Sequence, residues 1–255
     1  VTGYFKTLGS DTPPLAYKDI ELSDMVMHFG HNARESHPIV YWRIADHKKK
    51  TDVPTVIVDP RFTGTAKGYS DINPENSLHV PILNGDISFL NAIAHVLLKD
   101  HQDIIDWKFL KRHTSGWKDY VNGVRKRYSP EQVQDRMGNN EVTPQLIRQV
   151  AKLFADATRK RIARSKNGHE GHGGVIIMWG IGYNQHIHGQ HNVISIINLL
   201  TLTGNLAKPG CGPFSMTGQP NAMGERFTGR HRLGRGGLRK SSDGVIGDPW
   251  RCNRT

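Results

Sequence analysis

The sequence predicts an α/β fold: a doubly wound, mostly parallel sheet with helices on both faces. Short apolar runs rich in β-branched residues alternate along the chain with longer runs whose apolar positions recur at helical spacing. The short runs end in glycine, or in aspartate followed by proline, and lead into small polar loops. At 255 residues, 36% of them hydrophobic, the chain can bury a substantial core.

Taken in order, "DMVMHFG" reads as a first strand ending at Gly30. "HPIVYWRIADHKKK" reads as a helix with Ile39, Trp42, Ile44 and Ala45 on its apolar face. "PTVIVDP" is a second strand, closed by Asp59 and Pro60 because proline cannot continue a ladder. "SLHVPIL" is a third, and "DISFLNAIAHVLLKD" a helix burying Ile87, Leu90, Ile93, Ala94 and Leu97. Thr143 is positioned to cap a long helix, "TPQLIRQVAKLFADATRKRIAR", with Pro144 in its first turn. After the polar spacer "SKNGHEGHGG" comes a fourth strand, "VIIMW", and then "NVISIINLLTLTGN", a buried helix stopped by Gly204. "KPGCGPFSMTGQPNAMGERFTG" is dense in glycine and proline and is expected to form a long irregular segment with amides free for a ligand.

The formal net charge of +11 favours an anionic ligand, although a basic surface alone more often serves solubility than a specific partner. No apolar run approaches the roughly 20 residues of a membrane span. Two cysteines, Cys211 and Cys252, lack CxxC spacing, so no cysteine framework, cluster or zinc site is expected. The first residues carry neither an initiator Met nor a signal pattern, and the chain reads as an internal segment.

Ligands of a doubly wound sheet sit beyond the carboxyl ends of its strands. "GHNARESH", "DPRFTGTA", "NGD" and "GIGYNQH" occupy those ends, each offering glycine, a small polar side chain or a carboxylate. Singly, each is an ordinary turn or cap, and their repetition at successive strand ends marks a binding site. Asp59 is of the type that accepts from a ribose, and Asp86 of the type that accepts from a guanine edge.

"GIGYNQHIHGQHNV" packs His186, His188 and His191 into six positions without a carboxylate, and a closed zinc site usually has four ligands. No metal ligand is therefore expected here. Gly180, Gly182 and Gly189 permit close backbone approach, and Asn184 and Gln185 are neutral donors and acceptors, so a cofactor loop is the better reading.

"GYNQHIHGQHNVISIINLLTLTGNLAKPGCGPFSMTGQPNAMGERFTG", with "GHNARESHP" and "VIVDPR", resembles the molybdenum bis-guanine-dinucleotide oxidoreductases, and among them the prokaryotic assimilatory and periplasmic nitrate reductases. The resemblance implies that Gly30, Asn32 and Glu35 contact a pterin guanine dinucleotide and that Asp59 and Asp86 serve its nucleotide halves. It implicates Gly182, Asn184 and Gln185 through "GxNQ", and Gly218 and Gln219, near the pterin and the metal pocket, through "TGQP". Arg226 matches a family arginine near the substrate funnel, where a guanidinium suits a planar oxyanion; read without the family it is a solvated surface arginine.

The implied cofactor is molybdenum bis(molybdopterin guanine dinucleotide). The implied partners are nitrate and an electron-donor protein or subunit, with neither nucleic acid nor a membrane span. The family's 4Fe-4S cysteine motif and molybdenum-ligating cysteine would lie upstream, so no metal ligand is assigned, and Cys211 reads as a small buried thiol. Residues 1–229 form the expected cofactor-binding region; residues 230–255 are a divergent, basic, irregular tail. The family includes cytoplasmic and periplasmic enzymes. Formate dehydrogenase is the alternative within it, and a basic nucleotide-binding module without catalysis the alternative outside it.

Overall fold

The computed structural model describes residues 2–10, 12–138, 140–168 and 172–218. Its described strands are β1 (Met25–Phe29), β2 (Thr55–Val58), β3 (Ser77–Val80), β4 (Val175–Trp179) and β5 (Gly212–Ser215). Its described helices are α1 (Thr2–Leu8), α2 (Ala33–Ser36), α3 (Pro38–Thr51), α4 (Gly64–Ile72), α5 (Asp86–Asp100), α6 (Trp107–His113), α7 (Trp117–Arg127), α8 (Pro130–Met137), α9 (Pro144–Lys166), α10 (Ile181–Asn184) and α11 (Gly189–Leu202). The sheet runs β3-β2-β1-β4-β5 with every pair parallel, as the doubly wound reading requires.

Strand alternation divides the core in two. Met25, Met27 and Phe29 of β1, with Val175, Ile177 and Trp179 of β4, face the larger cluster built from α5, α9 and α11. Val26, Ile57, Ile176 and Met178 face the smaller one, where α3 and α4 contribute Tyr41, Ile44 and Tyr69. Near-continuous apolar strands reflect this covering of both faces.

Several local expectations hold. The Thr143 hydroxyl accepts from the Leu146 amide and Pro144 opens α9. Leu90, Ile93, Ala94 and Leu97 are buried in α5, while Ile87 is only partly so. Gly204 takes φ +65° just past α11, the left-handed conformation that ends a helix.

Two expectations are corrected. On α3, Ile44 and Ala45 are buried as expected, but Ile39 and Trp42 are 80% and 53% exposed, and Val40, Tyr41, His47 and Lys48 are buried in their stead. The buried set recurs at 40, 41, 44, 45, 48, a regular helical stripe that polar His47 and Lys48 disguise in the sequence. Likewise "GPFS", expected to be irregular, is β5, in register with β4 from Ile176↔Gly212 to Trp179↔Ser215. Buried β4 needs partners for its outer peptide groups, and that requirement outweighs the low strand propensity of glycine and proline. Tyr4 of α1 fastens the strand: its hydroxyl donates to Pro213 O at 3.2 Å and accepts from the Ser215 amide at 3.1 Å.

Candidate cofactor crevice

From β1 the chain winds outward to β2 and β3, then crosses back to lay β4 on the other side of β1. The carboxyl ends of β1 and β4 are therefore the switch point, where the two loops diverge and leave room for a ligand. A crevice of about 680 Å³ opens there. Gly30, His31, Asn32, Ser36 and His37 line it after β1, Trp179, Gly180, Ile181, Gly182 and Asn184 around the end of β4, and Ser215 to Gly218 at and beyond β5.

Close glycine packing holds the first two loops together. Gly30 has φ +51°, and a side chain there would collide with Gly182 and the Tyr183 amide. A Cβ on Gly180 or Gly182 would lie 2.8 Å from Gly30 O. These glycines serve loop-to-loop contact, whereas a Cβ on Gly218 would meet nothing within 4 Å among the described residues. Tyr183 and Asn192 add a reciprocal clamp: the Tyr183 hydroxyl donates to Asn192 O at 2.8 Å, and Asn192 Nδ2 donates to Tyr183 O at 3.0 Å.

Of the residues singled out from the sequence, the crevice gathers Gly30, Asn32, Gly180, Gly182, Asn184 and Gly218. Asn32 also works structurally, its Oδ1 accepting from the Thr65 hydroxyl at 2.9 Å and from the Thr65 amide at 3.3 Å, which ties the β1 loop to α4. Glu35 is exposed on α2 and packs against Gly64. Asp59 is 7% exposed at the end of β2, one oxygen accepting from the Arg61 amide at 3.0 Å. Asp86 opens α5, where burial raises its pKa against the pull of a backbone hydrogen bond and of His186. Gln185 caps α10 and is exposed. Glu35, Asp59, Asp86 and Gln185 do not line the crevice, and Gln219 and Arg226 lie outside the described residues, as does the expected tail at 230–255.

His186 Nε2 contacts Gly182 O at 2.7 Å, so this ring is spent on its own loop. Among the described residues no group of three or more His, Cys, Asp or Glu side chains is arranged to hold a metal ion. Cys211 is fully buried, its thiol pushed up to about 11 by burial. No described helix is long and apolar enough to cross a membrane.

Sequence reasoning missed His31, Ser36 and His37 in the wall and Ser215 to Thr217 at the rim. Their signal was topological: once β1 is the central strand, the residues after Gly30 must border the switch point.

A family model for molybdopterin oxidoreductases matches residues 7–242. The chain belongs to the molybdopterin oxidoreductase family. Among relatives, a nitrate reductase of Synechocystis sp. is 36% identical over 231 residues, covering 90% of this chain and 28% of that protein. An F420-dependent formate dehydrogenase 1 subunit alpha of Methanococcus maripaludis is 32% identical over 225 residues, covering 88% of this chain and 29% of its own length. The chain thus spans less than a third of these relatives. Acetylene hydratase from Pelobacter acetylenicus shares the fold, with a TM-score of 0.60 at 15% identity over 82% of this chain and 24% of that one.

A molybdenum–pterin cofactor is what the molybdopterin oxidoreductase family implies, and the crevice suits such a group. It is wide, and its polar side chains are neutral amides, hydroxyls and imidazoles.

Proposed function

We propose that this chain is the part of a molybdenum-dependent nitrate reductase that holds a molybdopterin guanine dinucleotide. The observation that carries the reading is the switch-point crevice bounded by the Gly30 and Gly182 loops, in a chain 36% identical to a nitrate reductase over 231 residues. When bound, the molybdenum group supplies the redox chemistry: nitrate, two electrons and two protons become nitrite and water. The chain's own share is binding and orientation. Asn32, Asn184 and backbone amides offer neutral hydrogen bonds, and Asp59 and Asp86, at neighbouring strand ends, are assigned to the nucleotide halves. Gln219 and Arg226 are assigned to the cofactor and the substrate anion respectively.

The 32% identity to a formate dehydrogenase supports a second reading, formate oxidation on the same cofactor. The intact parent protein should be purified, its molybdenum and guanine content measured, and nitrate reduction compared with formate oxidation. Bound molybdenum with nitrate turnover supports the proposal, and formate turnover favours the second reading. Nucleotide binding without molybdenum or either activity would indicate a non-catalytic module.

A further inference from the structure

Three linked histidines, His31 and His37 in the crevice wall and His28 behind them, have no part in the proposed function. His28 lies in β1, fully buried; His31 follows Gly30 and is 2% exposed; His37 joins α2 to α3. Nδ1 of His28 is 3.1 Å from Nδ1 of His31, and Nε2 of His31 is 3.1 Å from Nδ1 of His37. Each ring nitrogen of His31 therefore faces another imidazole nitrogen. The remaining nitrogens, Nε2 of His28 and of His37, are buried with no hydrogen-bond partner among the described residues.

A neutral imidazole has one donor and one acceptor. His31 can donate from Nδ1 to His28 and accept at Nε2 from His37, or the reverse. An imidazolium at His31 donates from both nitrogens, with Nδ1 of His28 and of His37 accepting and the protons of those rings carried on Nε2. All three states keep both 3.1 Å contacts hydrogen-bonded. This lets one site exist charged or neutral without rearrangement.

Burial holds the chain neutral, with His28 pushed down to about 3 and His31 to about 2. His28 and His37 each disfavour charge on His31 further. From α4, Tyr69 sets its ring 5.7 Å from that of His28; Tyr41 of α3 stacks on Tyr69, and Arg34 of α2, Asp71 of α4 and Glu35 of α2 act on Tyr41. None of these supplies His31 with a negative partner, and the side open to receive one is the crevice, which His31, Ser36 and His37 line.

We propose that His31 is a proton-loading site, taking one proton from solvent when a diphosphate-like anion enters the crevice and returning it when the anion leaves. The proposal rests on the crevice being the site of the anionic cofactor, and is testable apart from it. In the 255-residue chain labelled with ¹⁵N-histidine, ring shifts are followed against pH. Ser36→Asp, at an exposed position whose hydroxyl is 2.9 Å from His37 Nδ1, places a carboxylate beside the chain. The His31 midpoint should rise from about 2 to about 5 or above, roughly a thousandfold change in protonation. Adding His31→Gln should abolish the accompanying shift at His28, which the carboxylate reaches only through His31. Saturating inorganic pyrophosphate should raise the parent's midpoint likewise, with proton uptake per anion, in calorimetry across buffers of different ionisation heat, approaching one below the raised midpoint and lost in His31→Gln. A rise with Ser36→Asp but none with pyrophosphate upholds proton loading and counts against the crevice as a diphosphate site. A His31 ring left neutral at about pH 5 beside the new carboxylate overturns the proposal.

Discussion

Arg164 grips Asp24 with two parallel hydrogen bonds, Nη1 to Oδ2 and Nη2 to Oδ1, both 2.7 Å. Asp24 directly precedes β1, and its Oδ2 also accepts from the Gly174 amide at 2.8 Å, just before β4. One carboxylate thus joins α9 to the amino ends of the two central strands, across the sheet from the crevice. Arg164→Ala leaves this buried carboxylate without its cation and should cost about 1 to 3 kcal/mol, discounted for the partly exposed guanidinium. Urea unfolding checks this, and no change in midpoint would show the pair to be dispensable.

Gly30 and Gly218 make opposite predictions within one crevice. Gly30→Ala forces a side chain into a left-handed backbone position and into the Gly182 loop, so a loss of about 2 kcal/mol or more is expected. Gly218→Ala meets no described residue and should stay within about 0.5 kcal/mol of the parent. Thermal melts of the two variants decide it; equal losses would refute the close-packing account of Gly30.

Lys48 gives a pH signature. It is 1% exposed, its ammonium donating to Val53 O at 3.0 Å and Asn76 O at 2.9 Å, and burial lowers it to about 8. A lysine depressed in the folded state binds its proton more weakly there than in the unfolded chain. The penalty is complete below about pH 8 and fades as pH rises toward the unfolded value near 10.4. Titration should therefore add stability across that window, on the order of 3 kcal/mol at most, and Lys48→Met should flatten this rise in denaturation measured from about pH 7 to 10. A parent curve without the rise would contradict it.

The loop histidines yield a negative prediction. Zinc titrated into the chain should bind no more tightly than to a variant with His186, His188 and His191 all changed to Ala, because two or three imidazoles without a carboxylate make a poor closed site. Stoichiometric binding lost in that variant would restore the metal reading.

Arg226 is tested in the intact parent enzyme at equal molybdenum occupancy. Arg226→Ala should raise the Michaelis constant for nitrate or lower turnover, by a charge-assisted hydrogen bond worth about 1.5 to 3 kcal/mol. Lysine should restore part of this, keeping the charge without the planar fork. Unchanged kinetics would return Arg226 to the surface.

The sheet was legible because its strands are buried on both faces, so "MVMHF", "TVIV" and "VIIMW" stand out as continuous runs. β5 was not, because "GPFS" is a strand by virtue of the β4 edge it satisfies and not by propensity. Gly30 and Gly182 were legible as special positions, and the structure adds a reason the sequence did not show: they approach each other. The histidine chain left no mark in the sequence, since residues 28, 31 and 37 match no single period. A strand, a tight loop and a helix start bring them together.

The place of β1 at the centre of the sheet governs the order in which the molecule can be assembled. One edge of β1 takes β2 almost at once, whereas the other waits for β4, with Met25 pairing Val175 only after the whole helical stretch from α5 to α9 has been made. During synthesis the unit β1-β2-β3 exists with a bare inner edge, the kind of surface that recruits strands from other chains. The wide sequence separation of this central ladder implies slow closure, because the entropy of a long loop is lost before the pairing is gained. A ribosome paused before residue 175 would therefore hold a chain prone to aggregate, and the same chain should become refractory to aggregation once β4 is free to dock.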